Sequence, residues 1–482
     1  MNINILKQST LLVSVLVFLC CSEVNSSENI FSDDYPIRIS KNYPMYYEKS
    51  TGETWIPNAI NYLPYFIDNN DTAACFQVME DYFRKFAENG GNAIRICLST
   101  PFLEIEDTNA GEYNPAKFER IDKLLELAEK YKIYVKFTLL LFRSINPSNE
   151  AVAQGWANSI PLSQVFNDII EYTTTPKGIQ YYLNRARALS ARYKDCKQIY
   201  CWELWNEMDA VPGNTWPTFT PPVIDSIKAI FPNRLVVQTL GGLHSYVADQ
   251  NYKTMFSYPN NDFVSIHRYL EQGNEWGQYD CIKGDIDTLV STAMDFVHRY
   301  VSKKPIVFNE IGAVEPNHVA PSKLYKIDKE GVLLHDMLFA PFFCGSAGAG
   351  AMWHWDSYLY ANDLWYHYRR FTNAIEGIDP VKERFTPSAF ETNGVRCYAL
   401  NGRFKTMIWG RDTGSNWRTE LEQGIPAQTK ENVKIRLEQL KNKKYKSARI
   451  YDPWKDRWQT AEIKNGEVVI PPFIRSFVVV FQ

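Results

Sequence analysis

The sequence predicts an α/β fold, namely a (β/α)8 TIM barrel followed by a small antiparallel β-sandwich. Eight short apolar runs alternate with amphipathic stretches between about residues 54 and 357, and short alternating runs replace them after about residue 390. The chain of 482 residues also exceeds the usual span of one hydrophobic core. We therefore predict a leader over residues 1–25, a catalytic barrel over 35–385 and an accessory domain over 390–482.

The apolar runs are the predicted strands of the barrel. They cover residues 55–60, 92–98, 133–142, 199–205, 235–240, 263–269, 305–311 and 350–355. Helical spacing of apolar residues marks segments between them, at 115–131, 179–193, 286–301 and 329–343. An open doubly wound sheet is the alternative, although no glycine-rich phosphate motif favours it. In a barrel, the functional site is expected at the C-terminal ends of the strands.

The first residues have the pattern of an export signal. Lys7 precedes the apolar run 11–19, which is too short to cross a membrane as a helix. Cys20 and Cys21 end this run, and the polar stretch that follows resembles a bacterial lipoprotein signal in which Cys21 is lipidated. Plain secretion with cleavage nearby is the alternative, because Cys20 stands where such signals carry a smaller residue. We expect an exported protein that is periplasmic, anchored to the outer membrane by lipid, or secreted.

Charge and cysteine content argue against several classes of protein. The formal net charge of −3 offers no basic field for nucleic acid. The seven cysteines beyond the leader form no CxxC pair, which argues against a zinc site or a dense disulfide framework. A single bridge between Cys196 and Cys201 is left open. Aromatic residues make up 14% of the chain, and their flat faces suit either a large core or the stacking of sugar rings.

Two glutamates end predicted strands and carry the chemistry. Glu207 follows Asn206 at the end of the fourth strand, and Glu310 lies at the end of the seventh. Alternation places Glu203 on the same side as Glu207. Because the carboxyl ends of all barrel strands meet at one mouth, the two carboxyl groups of Glu207 and Glu310 are expected to converge.

With these residues the chain resembles a clan A glycoside hydrolase, nearest to family 5, which includes cellulases and mannanases. The resemblance covers about residues 54–360 and implies that Glu207 is the acid/base and Glu310 the nucleophile. It also assigns sugar-site residues on other strands: Asn206, Arg95, His267, Tyr269, Trp353 and Trp355. Of the two tryptophans, Trp355 is favoured as the floor of the sugar site because it lies nearer the mouth. Arg95 as a structural ion-pair partner and His267 as a core histidine are the alternatives.

The resemblance further implies a retaining, double-displacement reaction that needs no cofactor and no metal. Arg95 and the Tyr269 hydroxyl would keep Glu310 ionised, Glu207 would start protonated, and Asn206 would bond the sugar 2-hydroxyl. The substrate would be a β-linked hexose oligo- or polysaccharide such as β-mannan or β-glucan. A non-catalytic surface glycan-binding lipoprotein on a degenerate barrel is the alternative, and the presence of both glutamates argues against it.

Some positions depart from the family pattern or carry no motif. Residues 138–143 lack the histidine that many family members have after strand three, and Met208 replaces the usual proline after Asn-Glu, so the sugar is left open. Four tryptophans in segments after predicted strands could line a groove or simply pack against the surface. They are Trp156, Trp216, Trp276 and Trp365. His244 and Asn309 are weaker candidates near the mouth.

Overall fold

The computed structural model describes residues 35–64, 71–141, 144–146, 160–271, 283–440 and 445–482. The predicted leader with Cys21, together with Trp156 and Trp276, lies outside these residues. Within them, no helix is both long enough and apolar enough to cross a membrane.

A small antiparallel sheet precedes the main one. It comprises β1 (Ile37–Ile39), β2 (Tyr47–Lys49) and β3 (Thr54–Trp55). The prediction of one strand over residues 55–60 is therefore wrong in its bounds. Trp55 belongs to β3, where its ring packs edge-on against Tyr134 and Tyr200. The parallel sheet starts only after Pro57, which has no N–H to donate to a ladder.

The functional site lies at the ends of a set of parallel strands. The first five pair in chain order: β4 (Ala59–Asn61), β5 (Ala93–Cys97), β6 (Tyr134–Leu140), β7 (Ile199–Trp205) and β8 (Leu235–Val237). Two more, β9 (Val264–Glu271) and β10 (Ile306–Val314), pair with each other. Nearly every residue of these strands is buried, which explains why they read as apolar runs without alternation.

The eighth predicted strand, over residues 350–355, is observed only in part. Met352 alone forms β-bridges, to Ile60 and to Ile311. Backbone hydrogen bonds nevertheless join this segment to both neighbours: Ile311 N–H donates to the Ala351 carbonyl at 3.0 Å, and Asn61 N–H donates to the Met352 carbonyl at 3.1 Å. The extended segment ends early because Trp355–Tyr360 turns into a short π-helix.

Helices connect and cover the strands. They are α1 (Thr72–Glu88), α2 (Pro115–Lys130), α3 (Ile169–Thr174), α4 (Pro176–Tyr193), α5 (Trp216–Ile230), α6 (Tyr246–Phe256), α7 (Ile286–His298), α8 (Val332–Phe343), α9 (Tyr366–Ala374) and α10 (Pro380–Glu383). All four helical segments expected from the sequence are present. The start of α2 follows local capping: the Asn114 side chain accepts the Ala116 N–H, and Pro115 occupies the first turn.

The C-terminal region is antiparallel. Its strands are β11 (Thr386–Thr392), β12 (Val395–Asn401), β13 (Thr406–Asp412), β14 (Lys434–Arg436), β15 (Ala448–Asp452), β16 (Arg457–Ala461), β17 (Glu467–Val469) and β18 (Ser476–Phe481). Six form one sheet in the order β11-β12-β13-β18-β15-β16, and β14 pairs with β17. Apolar side chains of both sheets, including Ile408, Ile435 and Val479, share one buried cluster.

Ion pairs join this region to the helices of the parallel-strand region. Arg396 bonds Asp285 and Asp287, each at 2.6 Å, and Arg411 bonds Asp336 at 2.8 Å. Cys196 and Cys201 are free thiols, as are the other described cysteines, so the bridge that the sequence left open is not formed.

Candidate active site

A cavity of about 780 Å³ opens at the C-terminal ends of the parallel strands. Its walls come from the segments that follow β4, β6, β7, β8 and β10, from the C-terminal parts of β9 and β10, and from residues 353–357. Six of the residues predicted for the site line it: Asn206, Glu207, Tyr269, Glu310, Trp353 and Trp355. A second cavity of about 590 Å³ is lined by residues 110–113 and by Tyr181, Asn184 and Arg187, and it contains none of the predicted residues.

Glu207 and Glu310 meet in this cavity. Carboxylate oxygens of both residues and a ring nitrogen of His267 all lie within 4.8 Å of one another. The Glu207 side chain is 16% exposed, whereas that of Glu310 is only 3% exposed. The backbone of Glu207 is left-handed, with φ 47° and ψ 56°, where the chain turns out of β7. The Glu207 carboxyl group is thus accessible from the cavity, whereas the Glu310 carboxyl group is buried in the cavity wall.

A β-bulge sets the position of Glu310. Pairing between β9 and β10 slips after Phe308, so that Asn309 is an extra residue in β10 and Glu310 pairs with His267. A bulge breaks the alternation of side chains between the two faces of a strand. Consecutive residues, Asn309 and Glu310, consequently both reach into the site.

Glu310 is surrounded by donors. Arg95 Nη1 lies 2.6 Å from its Oε1, and the Tyr269 hydroxyl donates to its Oε2 at 2.5 Å. His267 Nδ1 lies 3.3 Å from the same Oε2. Both oxygens of Glu310 therefore accept hydrogen bonds, one from the Arg95 guanidinium and one from the Tyr269 hydroxyl. The residues predicted to support Glu310 are therefore the residues that contact it.

Arg95 holds a second carboxylate as well. Its Nε and Nη2 each donate to Glu203 at 2.7 Å, and Nη2 also donates to Asn206 Oδ1 at 2.6 Å. Burial alone would lower the pKa of Arg95, but Glu203 and Glu310 together raise it well above its ordinary value. Arg95 thus forms buried ion pairs with both Glu203 and Glu310.

Glu203 is a site residue that had no assigned role in the sequence. It is fully buried in β7, and Thr138 and Thr239 donate to it in addition to Arg95. Burial favours its protonated form, but Arg95 and Lys136 outweigh burial and hold its pKa well below the usual range. The signal in the sequence was its place inside an apolar run, two residues from Trp205 and four from Glu207.

The two tryptophans of the last segment occupy different environments. Trp355 is 3% exposed, and its ring packs against Tyr62 and Tyr82 with centroids 4.5 and 5.2 Å away. Trp353 is partly exposed in the cavity and rests on the small cluster of Leu63 and Leu141. Strand alternation does not relate them, because Trp355 already belongs to the π-helical turn. The more accessible ring is Trp353.

His354, between these tryptophans, also lines the cavity. The Tyr325 hydroxyl accepts the Ala313 N–H at 2.5 Å and lies within hydrogen-bonding distance, 3.0 Å, of His354 Nδ1. Burial lowers the pKa of His354 to about 3, so the ring is neutral. Gly312 permits this packing, since a Cβ there would lie 2.9 Å from His354 Nδ1.

The other candidates differ in accessibility. His244 lines the cavity, and burial and Arg268 lower its pKa to about 4, which makes it neutral. Trp216 and Trp365 are only 2% and 3% exposed, so both serve packing rather than a sugar groove.

The sequence matches one known family over much of this region. Residues 67–330 match the family described as Cellulase (glycosyl hydrolase family 5), which is more than half of the chain and includes Glu207 and Glu310. The chain belongs to glycosyl hydrolase family 5. The resemblance inferred from the strand-end motifs is thereby confirmed. Membership in family 5 implies a (β/α)8 barrel, glycosidase activity and a carbohydrate substrate.

The chain is also similar to several solved structures of glycoside hydrolases. A protein named "Glycoside hydrolase" is 14% identical with a TM-score of 0.57, and the match covers 93% of this chain and 97% of that one. A family 5 protein from Bacteroides vulgatus is 13% identical, with a TM-score of 0.57 and coverage of 93% and 94%. A family 5 mannosidase from Rhizomucor miehei is 16% identical, with a TM-score of 0.49 and coverage of 67% and 86%. No curated protein sequence gives a significant match. Likeness at such identities shows the fold and does not name the sugar.

Proposed function

We propose that this family 5 protein is a retaining β-glycoside hydrolase that acts on β-linked hexose oligo- or polysaccharides, such as β-mannan or β-glucan. The observation that carries the proposal is the approach of the Glu207 and Glu310 carboxylates to within 4.8 Å in one cavity. Retaining enzymes hold their carboxyl groups about 5 Å apart, whereas inverting enzymes need about 6.5–9.5 Å to admit a water molecule.

The first step would be attack of Glu310 on the anomeric carbon. As the glycosidic bond breaks, Glu207 donates its proton to the leaving oxygen, and a covalent glycosyl ester forms on Glu310. Glu310 suits the role of nucleophile because Arg95 and Tyr269 stabilise its charge and orient both oxygens. Glu207, which is more exposed, can meet both the leaving group and an incoming water.

The second step would reverse these roles. Glu207, now a carboxylate, removes a proton from water, and the resulting hydroxide attacks the anomeric carbon and releases Glu310. Asn206 would bind the sugar 2-hydroxyl through its amide NH2, because Arg95 Nη2 already occupies its Oδ1 at 2.6 Å. Trp353 would form the platform under the sugar ring, in preference to the buried Trp355.

Three structural expectations accompany this proposal. We propose that the eight parallel segments close into the family's barrel, supported by the bonds of Ala351 and Met352 to both neighbours. The two C-terminal sheets would form an accessory β-sandwich, supported by their shared apolar cluster. Export, with a lipid anchor on Cys21 or free secretion, remains a proposal from the leader sequence.

The experiment is hydrolysis of aryl β-glycosides and of β-glucan and mannan oligosaccharides by purified residues 26–482, with Glu310→Ala as the matched control. We expect turnover with retention of anomeric configuration in the wild type, and sugar binding without turnover in Glu310→Ala. Full activity of Glu310→Ala would refute the assignment of the nucleophile. Glycan binding without turnover by the wild type would favour the glycan-binding lipoprotein.

A further inference from the structure

A chain of hydrogen bonds runs beneath the two glutamates from the barrel interior. Lys136, in the middle of β6, donates through Nζ to Asn309 Oδ1. Asn309 Nδ2 lies 3.0 Å from His267 Nε2, and His267 Nδ1 lies 2.8 Å from Glu207 Oε1. The chain therefore connects a buried cation to the acid/base candidate through two neutral side chains.

The chemistry of each group gives this chain a direction. An ammonium group can only donate, so the atom of Asn309 that faces Lys136 is its oxygen. The amide NH2 then faces His267 Nε2, and because NH2 only donates, Nε2 must accept. A neutral imidazole carries one proton, which leaves that proton on Nδ1. His267 accordingly donates to Glu207 and does not accept from it.

Because the three side chains of this hydrogen-bond chain are buried, few other partners can reverse its donor-to-acceptor direction. Lys136, Asn309 and His267 are 2%, 4% and 0% exposed. Burial lowers the pKa of Lys136, and Glu203, whose Oε2 lies 3.3 Å from Nζ, opposes that effect. The bulge in β10 supplies the geometry, since it turns Asn309 inward next to Glu310.

We propose that Lys136 and Asn309 are positioning residues that fix His267 as the Nδ1–H tautomer, so that Glu207 Oε1 always meets a hydrogen-bond donor. When Glu207 is protonated, its proton must then sit on Oε2, the oxygen that His267 does not engage. With the opposite tautomer, the bare Nδ1 would accept the Glu207 proton and hold it away from a leaving group. The consequence for catalysis rests on the proposed function, whereas the tautomer of His267 does not.

The test is 15N NMR of the imidazole nitrogens in protein labelled at histidine, with the His267 signals assigned from their loss in His267→Gln. Wild-type protein at neutral pH should show a protonated Nδ1 and an unprotonated Nε2. In Asn309→Asp, which preserves shape but presents only acceptors, Nε2 should become protonated. In Lys136→Met, which keeps the length of the chain but cannot donate, the single Nδ1–H form should give way to a mixture.

Controls separate this result from general damage. Lys123→Met replaces an exposed lysine of α2, with a side chain 51% exposed, and should leave both nitrogens unchanged. If Lys136→Met does not fold, Asn309→Asp still tests the direction of the chain. A wild-type His267 with its proton on Nε2 would overturn the inference, as would a Lys136→Met spectrum identical to that of the wild type.

Activity gives a second readout. Both variants should lose about tenfold or more in kcat, with a smaller change in KM, because proton transfer is affected more than binding. If no variant and no wild-type sample hydrolyses any glycoside while the tautomers behave as expected, the proposed function fails and the tautomer assignment stands.

Discussion

Arg95 Nη1 lies 2.6 Å from Glu310 Oε1 at a point where both side chains are only 3% exposed. Charges so deeply buried persist only when they are paired and hydrogen-bonded. Arg95 meets this condition by holding Glu203 with its other two nitrogens. The arginine that contacts the proposed nucleophile therefore also neutralises buried carboxylate charge in the centre of the fold.

Replacement of Arg95 by methionine should affect both properties. The change leaves two buried carboxylates without their shared cation, so we expect a loss of about 3–5 kcal/mol in the free energy of unfolding, together with loss of activity. Urea unfolding followed by tryptophan fluorescence measures the first effect. Arg84→Met, at a helix position where the side chain is 41% exposed, is the matched control and should leave the free energy of unfolding nearly unchanged. Equal stability of the two variants would contradict the paired role of Arg95.

Glu203 should make stability depend on pH in acid. Its pKa is lower in the folded protein than in the unfolded chain, so the unfolded state takes up its proton first as pH falls. The contribution of Glu203 is present above the ordinary glutamate pKa of about 4.3 and declines below it. In Glu203→Gln, the slope of unfolding free energy against pH between about pH 3 and 5 should be shallower. An unchanged slope would show that Glu203 does not carry this dependence.

Trp353 and Trp355, in the segment that follows α8, allow a matched comparison by substitution. Trp355→Ala removes a ring packed on Tyr62 and Tyr82 and should cost about 3–5 kcal/mol in stability. Trp353→Ala should leave stability within about 1 kcal/mol but weaken sugar binding at least tenfold, because its partly exposed ring lines the cavity. Calorimetric titration of an oligosaccharide into inactive Glu310→Ala protein, with and without each change, measures the binding. If Trp353→Ala and Trp355→Ala weakened sugar binding equally, the assignment of Trp353 to sugar binding and of Trp355 to packing would be wrong.

Glu207→Gln separates proton donation from nucleophilic attack. Without the acid, substrates whose leaving group needs a proton should lose about 10²–10⁴-fold in kcat/KM. Aryl glycosides with acidic phenol leaving groups need little help in the first step and should lose much less. Steady-state rates over a series of aryl leaving groups test this point. A loss that is uniform across the series would argue that Glu207 has another role.

Much of the parallel-strand region could be predicted because its strands are buried on both faces. The observed β7 has the same bounds as its predicted strand, 199–205, and α2 differs from its prediction only at residue 131. The Asn206-Glu207 pair could be located because it directly follows such a run. Glu310 was expected at the end of a strand, but it lies inside β10, which continues to Val314. A buried parallel strand is a continuous run of apolar residues, and such a run can be recognised from neighbouring positions in one sequence.

The interior of the site could not be predicted in the same way. The bulge at Asn309 depends on how β10 pairs with β9, and the contact of Lys136 with Asn309 joins residues 173 positions apart. Alternation alone would have placed Asn309 and Glu310 on opposite faces of the strand. The sequence also predicts one strand over residues 350–355 that contains both Trp353 and Trp355, because nothing in it marks the start of the π-helical turn at Trp355.

The backbone of Glu207 has an implication for engineering. A left-handed conformation costs a residue with a Cβ roughly 1–2 kcal/mol, and glycine avoids this cost. Glu207, with φ 47°, is therefore held in a conformation that its own residue type disfavours. A laboratory evolution screen that selects only for heat resistance should accept Glu207→Gly. That substitution would remove the carboxyl group of the proposed acid/base. Selection for turnover has to act continuously to keep a carboxylate at this turn.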